Sequence, residues 1–141
     1  MKYDDASWHY GGDFPEDLPS EAGATHIGMF VAWCKLNELG GDLHIEDFPE
    51  FLDKLKARKM TPTAWFMSAC DEKFTDEDLG DEGNSFAAYY YAADEAPYIG
   101  DYEDTLGKKV ESLYYVPDSW DSYDALSPII KERFEAWKLN D

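Results

Sequence analysis

Ala24-Thr25-His26-Ile27-Gly28-Met29-Phe30-Val31-Ala32-Trp33-Cys34-Lys35-Leu36-Asn37-Glu38-Leu39 is the stretch on which the fold turns. From Ile27 to Cys34 it is apolar on nearly every face, which is the pattern of a helix buried all round rather than one lying on a surface. It is therefore read as the central helix. Ser20 and Glu21 supply an N-cap and a carboxylate near the positive helix end. Gly40-Gly41 supplies the stop. Gly28 costs about 1 kcal/mol against alanine in a helix interior, so it marks a place where another segment comes close.

On the N-terminal side lies Tyr3-Asp4-Asp5-Ala6-Ser7-Trp8-His9-Tyr10-Gly11-Gly12-Asp13-Phe14-Pro15. Disordered tails are poor in aromatics, so this segment is expected to dock. Trp8, Tyr10 and Phe14 are assigned to the first helix near Gly28. Asp4, Asp5 and Ser7 are expected to satisfy local backbone donors. Asp5, His9, Asp13 and His26 form the one set here with the composition of a ligand site. With Asp4 they match no zinc or calcium spacing, since there is no His-x3-His, no close cysteine pair and no twelve-residue calcium loop. No metal and no cofactor is expected.

On the C-terminal side, Asp47-Phe48-Pro49-Glu50 opens an amphipathic helix carrying Phe51, Leu52 and Leu55, with Lys54, Lys56, Arg58 and Lys59 at its end. Thr61-Pro62 caps a third helix with Ala64, Trp65, Phe66, Met67 and Cys70. Thr75-Asp76-Glu77-Asp78 reads as a cap and short turn, and Gly80, Gly83 and Asn84 as a loop. Ser85 to Ala93 reads as a helix stopped by Pro97. Val110-Glu111-Ser112-Leu113-Tyr114-Tyr115-Val116 is rich in β-formers and closed by Pro117, so it is the expected strand or extended element. Asp124 or Ser127 opens a last helix with Pro128 in its first turn. Ile129, Ile130, Phe134 and Trp137 form its buried face, and Lys131, Glu132, Arg133 and Glu135 face water. The sum is a mainly α fold: one compact domain over residues 1–141, of about five helices, with a short extended or β element near 110–116.

The 141 residues hold 31 acids against 12 bases, a net charge of −19. Such a field repels nucleic acid and anionic membrane, and speeds encounter with basic partners. Between Asp71 and Asp104 stand twelve acids and one base, Lys73. They alternate with tyrosines, favoured interface anchors. Asp76, Glu77, Asp78, Asp81, Glu82, Tyr98, Asp101 and Tyr102 are the expected partner-binding residues. Alternatively the acids are a solvated face and several of the aromatics are core. No run approaches eighteen apolar residues. Met1-Lys2-Tyr3-Asp4-Asp5 lacks a signal-peptide core, so a cytoplasmic location is expected. Cys34 and Cys70 fall in apolar patterns and read as reduced core thiols rather than a disulfide or nucleophiles. Gly11-Gly12 and Gly40-Gly41 fit no phosphate cradle. Paired carboxylates for glycoside hydrolysis carry no signal in so acidic a chain.

The opening from Tyr3 to Pro15, with Glu21 to Phe30 and Ala32-Trp33, resembles an uncharacterised bacterial family of short acidic proteins. Those in turn resemble immunity proteins of polymorphic toxin systems, small cytoplasmic partners that neutralise a toxin. The resemblance implies a non-enzymatic protein that binds a basic toxin domain through an acidic, tyrosine-rich surface. It brings no catalytic residue. The alternative is a small hydrolase or ligand-binding protein with its site around Asp5, His9, Asp13 and His26. A third reading is a subunit whose aromatic surface buries in a homodimer.

Overall fold

The computed structural model describes residues 2–6, 18, 20–40, 49–92, 97–108, 110 and 113–139. The fold is mainly α, a single compact domain. Its described elements are β1 (Lys2–Asp5), a 3-10 turn (Ser20–Ala24), α1 (Thr25–Leu36), α2 (Pro49–Lys56), α3 (Pro62–Ala69), β2 (Lys73–Thr75), a second 3-10 turn (Asp76–Asp78), α4 (Asp81–Tyr90), α5 (Pro97–Tyr102), a π-turn (Glu103–Gly107), a third 3-10 turn (Leu113–Tyr115) and α6 (Trp120–Leu139).

Helix α1 is central, as its all-round apolar pattern requires, and every residue from Thr25 to Lys35 is buried. Around Phe30 stand the rings of Phe74, Phe86, Tyr90, Tyr91 and Tyr98, with centroids between 5.0 and 6.1 Å away. Trp33 reaches Phe86 and, from α6, Phe134. Each fully buried large apolar side chain contributes about 1.5–3 kcal/mol through area removed from water, so this aromatic core dominates the stabilising side of the balance.

The segment that approaches Gly28 is α3. A Cβ there would lie 3.1 Å from the Pro62 carbonyl oxygen and 3.2 Å from Phe66 Cβ. The expected clasp of Trp8, Tyr10 and Phe14 lies outside the described residues. Helix α1 also ends earlier than its double glycine. Glu38 takes the left-handed position at φ 63°, and the Leu39 N–H closes on the Cys34 carbonyl at 2.8 Å. Gly40 instead forms a bridge to Leu79. At the other end the N-cap is Ala24, without a side-chain bond, because the Ser20–Ala24 turn runs directly into the helix.

Thr61 caps α3 as expected, its hydroxyl accepting from the Ala64 N–H at 3.1 Å with Pro62 in the first turn. Thr75 and Asp78 form a reciprocal capping box around the Asp76–Asp78 turn. Leu52 and Leu55 are buried on α2. Cys34 and Cys70 are free and buried.

Four expectations give way. The Gly80–Asn84 loop is not one, for α4 begins at Asp81 and contains Gly83 and Asn84. Only glycine fits at 83, where a Cβ would stand 2.5 Å from the Leu39 carbonyl oxygen. Pro97 opens α5 rather than closing α4, its missing N–H falling where a helix start has none to satisfy. Helix α6 starts at Trp120, capped by Ser119, whose hydroxyl accepts from the Ser122 N–H at 3.1 Å. Pro128 therefore sits in its interior, where it removes one ladder bond. Tyr123 and Leu126 before it and Ile130 after it are all buried on the core, and that burial carries the helix through. Lastly, the ribbon is not at 110–116. β1 pairs antiparallel with β2, in the register Lys2 to Thr75, Asp4 to Phe74 and Asp5 to Lys73, with an irregularity between Lys2 and Asp4. Leu113–Tyr115 is a 3-10 turn beside the Ser20–Ala24 turn, while residues 111–112 lie outside the described set. The N-terminal strand that this run was expected to meet pairs with β2 instead.

Candidate functional site

Asp5 and His26, two of the four residues expected at a ligand site, are both buried, 5% exposed each. His9 and Asp13 lie outside the described residues. At the centre of the cluster is Asp4, weighed with those four as a metal ligand and expected to satisfy a local backbone donor. Its Oδ2 accepts from the Tyr91 hydroxyl at 2.6 Å and its Oδ1 from the Asp5 N–H at 2.8 Å. The His26 imidazole Nε2 stands 3.6 Å from Oδ2. Three elements meet here. β1 brings the two aspartates, the first turn of α1 brings His26, and the end of α4 brings Tyr91. The irregular register ahead of Asp4 accompanies the burial of both consecutive aspartates, which strict alternation would send to opposite faces.

Burial first, and then the charge and hydrogen bond of Asp4, push the Tyr91 phenol well above its ordinary value. Tyr91 is thus a neutral donor, not a base. Tyr98, raised by burial and then by its phenolic neighbours Tyr102 and Tyr90, donates its hydroxyl to the His26 carbonyl. A carboxylate with both oxygens accepting hydrogen bonds inside a packed core is suited to pinning β1 onto α1 and α4. It is poorly placed to attack a substrate. Among the described residues, no group of three His, Cys, Asp or Glu side chains is arranged to hold a metal. Neither cysteine is activated. Burial raises both thiols, and the nearby Asp78 carboxylate raises Cys70 further.

The expected partner-binding residues separate into two groups. Asp76, Glu77, Asp81 and Glu82 are exposed, on the turn after β2 and the first turn of α4. Glu82 pairs with Lys138 of α6. The other four are corrected. Asp78 is buried as the capping box partner of Thr75. Tyr98 and Tyr102 are wholly buried, and Asp101 is 8% exposed. Asp101 accepts the Tyr90 hydroxyl at 2.6 Å and a two-pronged bond from Arg133, at 2.9 and 3.0 Å. Arg133, exposed as expected, is the other half of that fork. Tyr90, Asp101 and Arg133 lock α4, α5 and α6 together, and of the expected partner-binding residues only acids remain exposed. The one exposed aromatic of the Tyr89-Tyr90-Tyr91 run is Tyr89, 52% exposed.

No helix among the described residues is long and apolar enough to cross a membrane. A family model described as a domain of unknown function (DUF7832) matches residues 2–116, and the chain belongs to that family. The match takes in every described element up to the Leu113–Tyr115 turn and ends before α6. Neither a curated protein nor a solved structure matches the chain.

Proposed function

We propose that this member of the DUF7832 family is a non-enzymatic immunity-type protein, which binds and neutralises a basic bacterial toxin domain from the cytoplasm. The observation that carries the reading is the placement of charge. The chain holds −19, and Asp76, Glu77 and Asp81 stand exposed on adjoining turns. Such a surface attracts a basic domain, accelerates encounter and orients it. The buried tyrosine core beneath gives it a rigid base. Inhibition is steric, by occupying the toxin's basic site.

The test is co-expression with the product of the neighbouring gene, followed by capture of the complex. Reversing Asp76, Glu77 and Asp81 to lysine slows association by about tenfold or more at low salt. The proposal fails if the neighbouring product is neither toxic nor bound.

A second reading is favoured by one observation, the joint burial of Asp5 and His26 around Asp4. In that reading the N-terminal cluster binds a ligand or supports hydrolysis, and His9→Ala abolishes that activity while the fold persists.

A further inference from the structure

We propose that the cleft between the Ser20–Ala24 turn and the Tyr114–Asp118 segment receives one arginine side chain of the basic partner, an inference that rests on the function proposed above. The cleft has a volume of ≈ 320 Å³ and is lined by residues including Leu18, Ala22, Thr63, Tyr114, Tyr115 and Asp118. Pockets for small organic ligands run from about 300 to 1,000 Å³, so this one suits a fragment or a single long side chain.

Three features define its occupant. Thr63 is 2% exposed, yet its Oγ1 has no hydrogen-bond partner. Native proteins rarely leave such a group unpaired, and an N–H donor arriving in the cleft would satisfy it. Asp118 stands exposed at the rim and is fixed in place. It accepts the Thr61 hydroxyl at 2.6 Å through Oδ2 and the Thr63 N–H at 3.2 Å through Oδ1. An ionised carboxylate has roughly four acceptor positions, so it retains capacity for a cation. The half-buried rings of Tyr114 and Tyr115 supply walls on which a planar cation stacks. An anionic ligand is opposed by Asp118, and by Asp4, which lies close enough for its charge to push the Tyr114 phenol up beyond the effect of burial. Arginine fits better than lysine. Its rigid fork reaches a carboxylate and a hydroxyl at once, its stem covers Leu18 and Ala22, and its face stacks on tyrosine.

The probe is N-acetyl-arginine methylamide, titrated into the full ¹⁵N-labelled chain at physiological salt, where loose attraction to the acidic surface is screened. Saturable shifts are expected at the amides of Thr63, Val116 and Asp118. The neutral isostere N-acetyl-citrulline methylamide should bind at least tenfold more weakly. Asp118→Asn keeps one acceptor oxygen for the Thr63 N–H, offers its amide N–H to the Thr61 hydroxyl oxygen, and should weaken the arginine probe at least tenfold. Thr63→Val should weaken it about threefold to tenfold without loss of thermal stability. Equal binding of the two probes, or shifts that centre on Asp76 to Glu82 and ignore Asp118→Asn, would overturn the proposal. So would an unchanged affinity of Asp118→Asn for a captured basic partner, which would leave the acidic-surface function standing. An arginine probe seated in the cleft, with no basic partner recovered from the host, upholds the pocket and refutes the function.

Discussion

Substituting alanine at three helical glycines should give three different answers, because the space around each differs. In a helix interior alanine is favoured over glycine by about 1 kcal/mol. At Gly100 on α5 a Cβ would meet nothing within 4 Å, so Gly100→Ala should stabilise by about 0.5–1 kcal/mol. At Gly83 the new Cβ would stand 2.5 Å from the Leu39 carbonyl oxygen and 3.2 Å from both Leu39 Cβ and Leu79 Cβ. That oxygen cannot retreat freely, since it accepts the Gly80 N–H at 2.9 Å. Overpacking costs about 1–3 kcal/mol, and weakening the bond a further 0.5–1.5 kcal/mol or about that. Against the propensity gain, Gly83→Ala should destabilise by about 1–3 kcal/mol. At Gly28 the contacts are 3.1 Å to Pro62 and Thr63 and 3.2 Å to Phe66. The two helices must separate by a few tenths of an ångström, and the net loss should be smaller, about 1 kcal/mol. Urea unfolding followed by circular dichroism measures all three, and each 1 kcal/mol should move the thermal midpoint by about 4 °C. A neutral or stabilising Gly83→Ala would refute the packing of α4 against the Leu39 corner. A Gly100→Ala as damaging as Gly83→Ala would refute the environment assigned to α5.

Asp101→Ala removes the acceptor shared by Tyr90 and Arg133. Arg133 is half exposed and recovers water, whereas the buried Tyr90 hydroxyl does not, so the loss should be about 2–3 kcal/mol by urea unfolding. A loss below 1 kcal/mol would deny the fork a structural role. In alkali, Tyr90, Tyr91, Tyr98, Tyr102 and Tyr123 are all raised by burial, Tyr123 to about 12. Their folded values exceed the ordinary value of 10, so the unfolded chain releases protons first. The stability they contribute is full below pH 10 and lost as pH rises beyond it. The phenolate absorbance of these five should therefore appear together with loss of helical signal, and a smooth titration of all ten tyrosines in a still-folded chain would contradict the core. Both cysteines should resist a thiol reagent at neutral pH until denaturant is added, since the thiolate is the reactive form and burial disfavours it. Rapid labelling of the native chain would show that one of them is accessible.

Much of this architecture was legible because it depends on local chemistry. The all-round apolar run Ile27–Cys34 could only be a buried helix, and Thr61-Pro62 and Thr75–Asp78 carry their caps in the sequence. What escaped depends on contacts distant along the chain. Gly83 looks like a loop residue until Leu39 is placed against it. Pro128 looks like a first turn until Tyr123 and Leu126 are seen buried ahead of it. Val110–Val116 has the composition of a strand, yet Leu113–Tyr115 within it is a 3-10 turn and β1 pairs with Lys73–Thr75. At the candidate site His26 and Asp5 were named, and Asp4 takes the local backbone donor expected of it, from Asp5, but its bond to Tyr91 was not foreseen. Their contact spans 87 positions and follows from an irregular register that leaves no mark in composition.

The partition of the stretch from Asp71 to Asp104 bears on how a partner would be held. Its tyrosines and acids alternate in sequence, but the fold sorts them. Tyr90, Tyr91, Tyr98 and Tyr102 go into the core, while Asp76, Glu77 and Asp81 stay in water. Exposed charge mainly governs encounter rate and salt dependence, whereas residence time comes from desolvated anchors. An acidic stretch that keeps Tyr89 as the exposed aromatic of its Tyr89-Tyr90-Tyr91 run can therefore steer a basic domain but has few anchors with which to retain it. Retention needs a concave site in which a cation is desolvated against rings. Among the described residues, Tyr114, Tyr115, Thr63 and Asp118 supply those elements together. In the proposed complex, attraction and retention would thus fall on different surfaces. Salt should slow association without much change in dissociation, and Asp118→Asn should do the reverse.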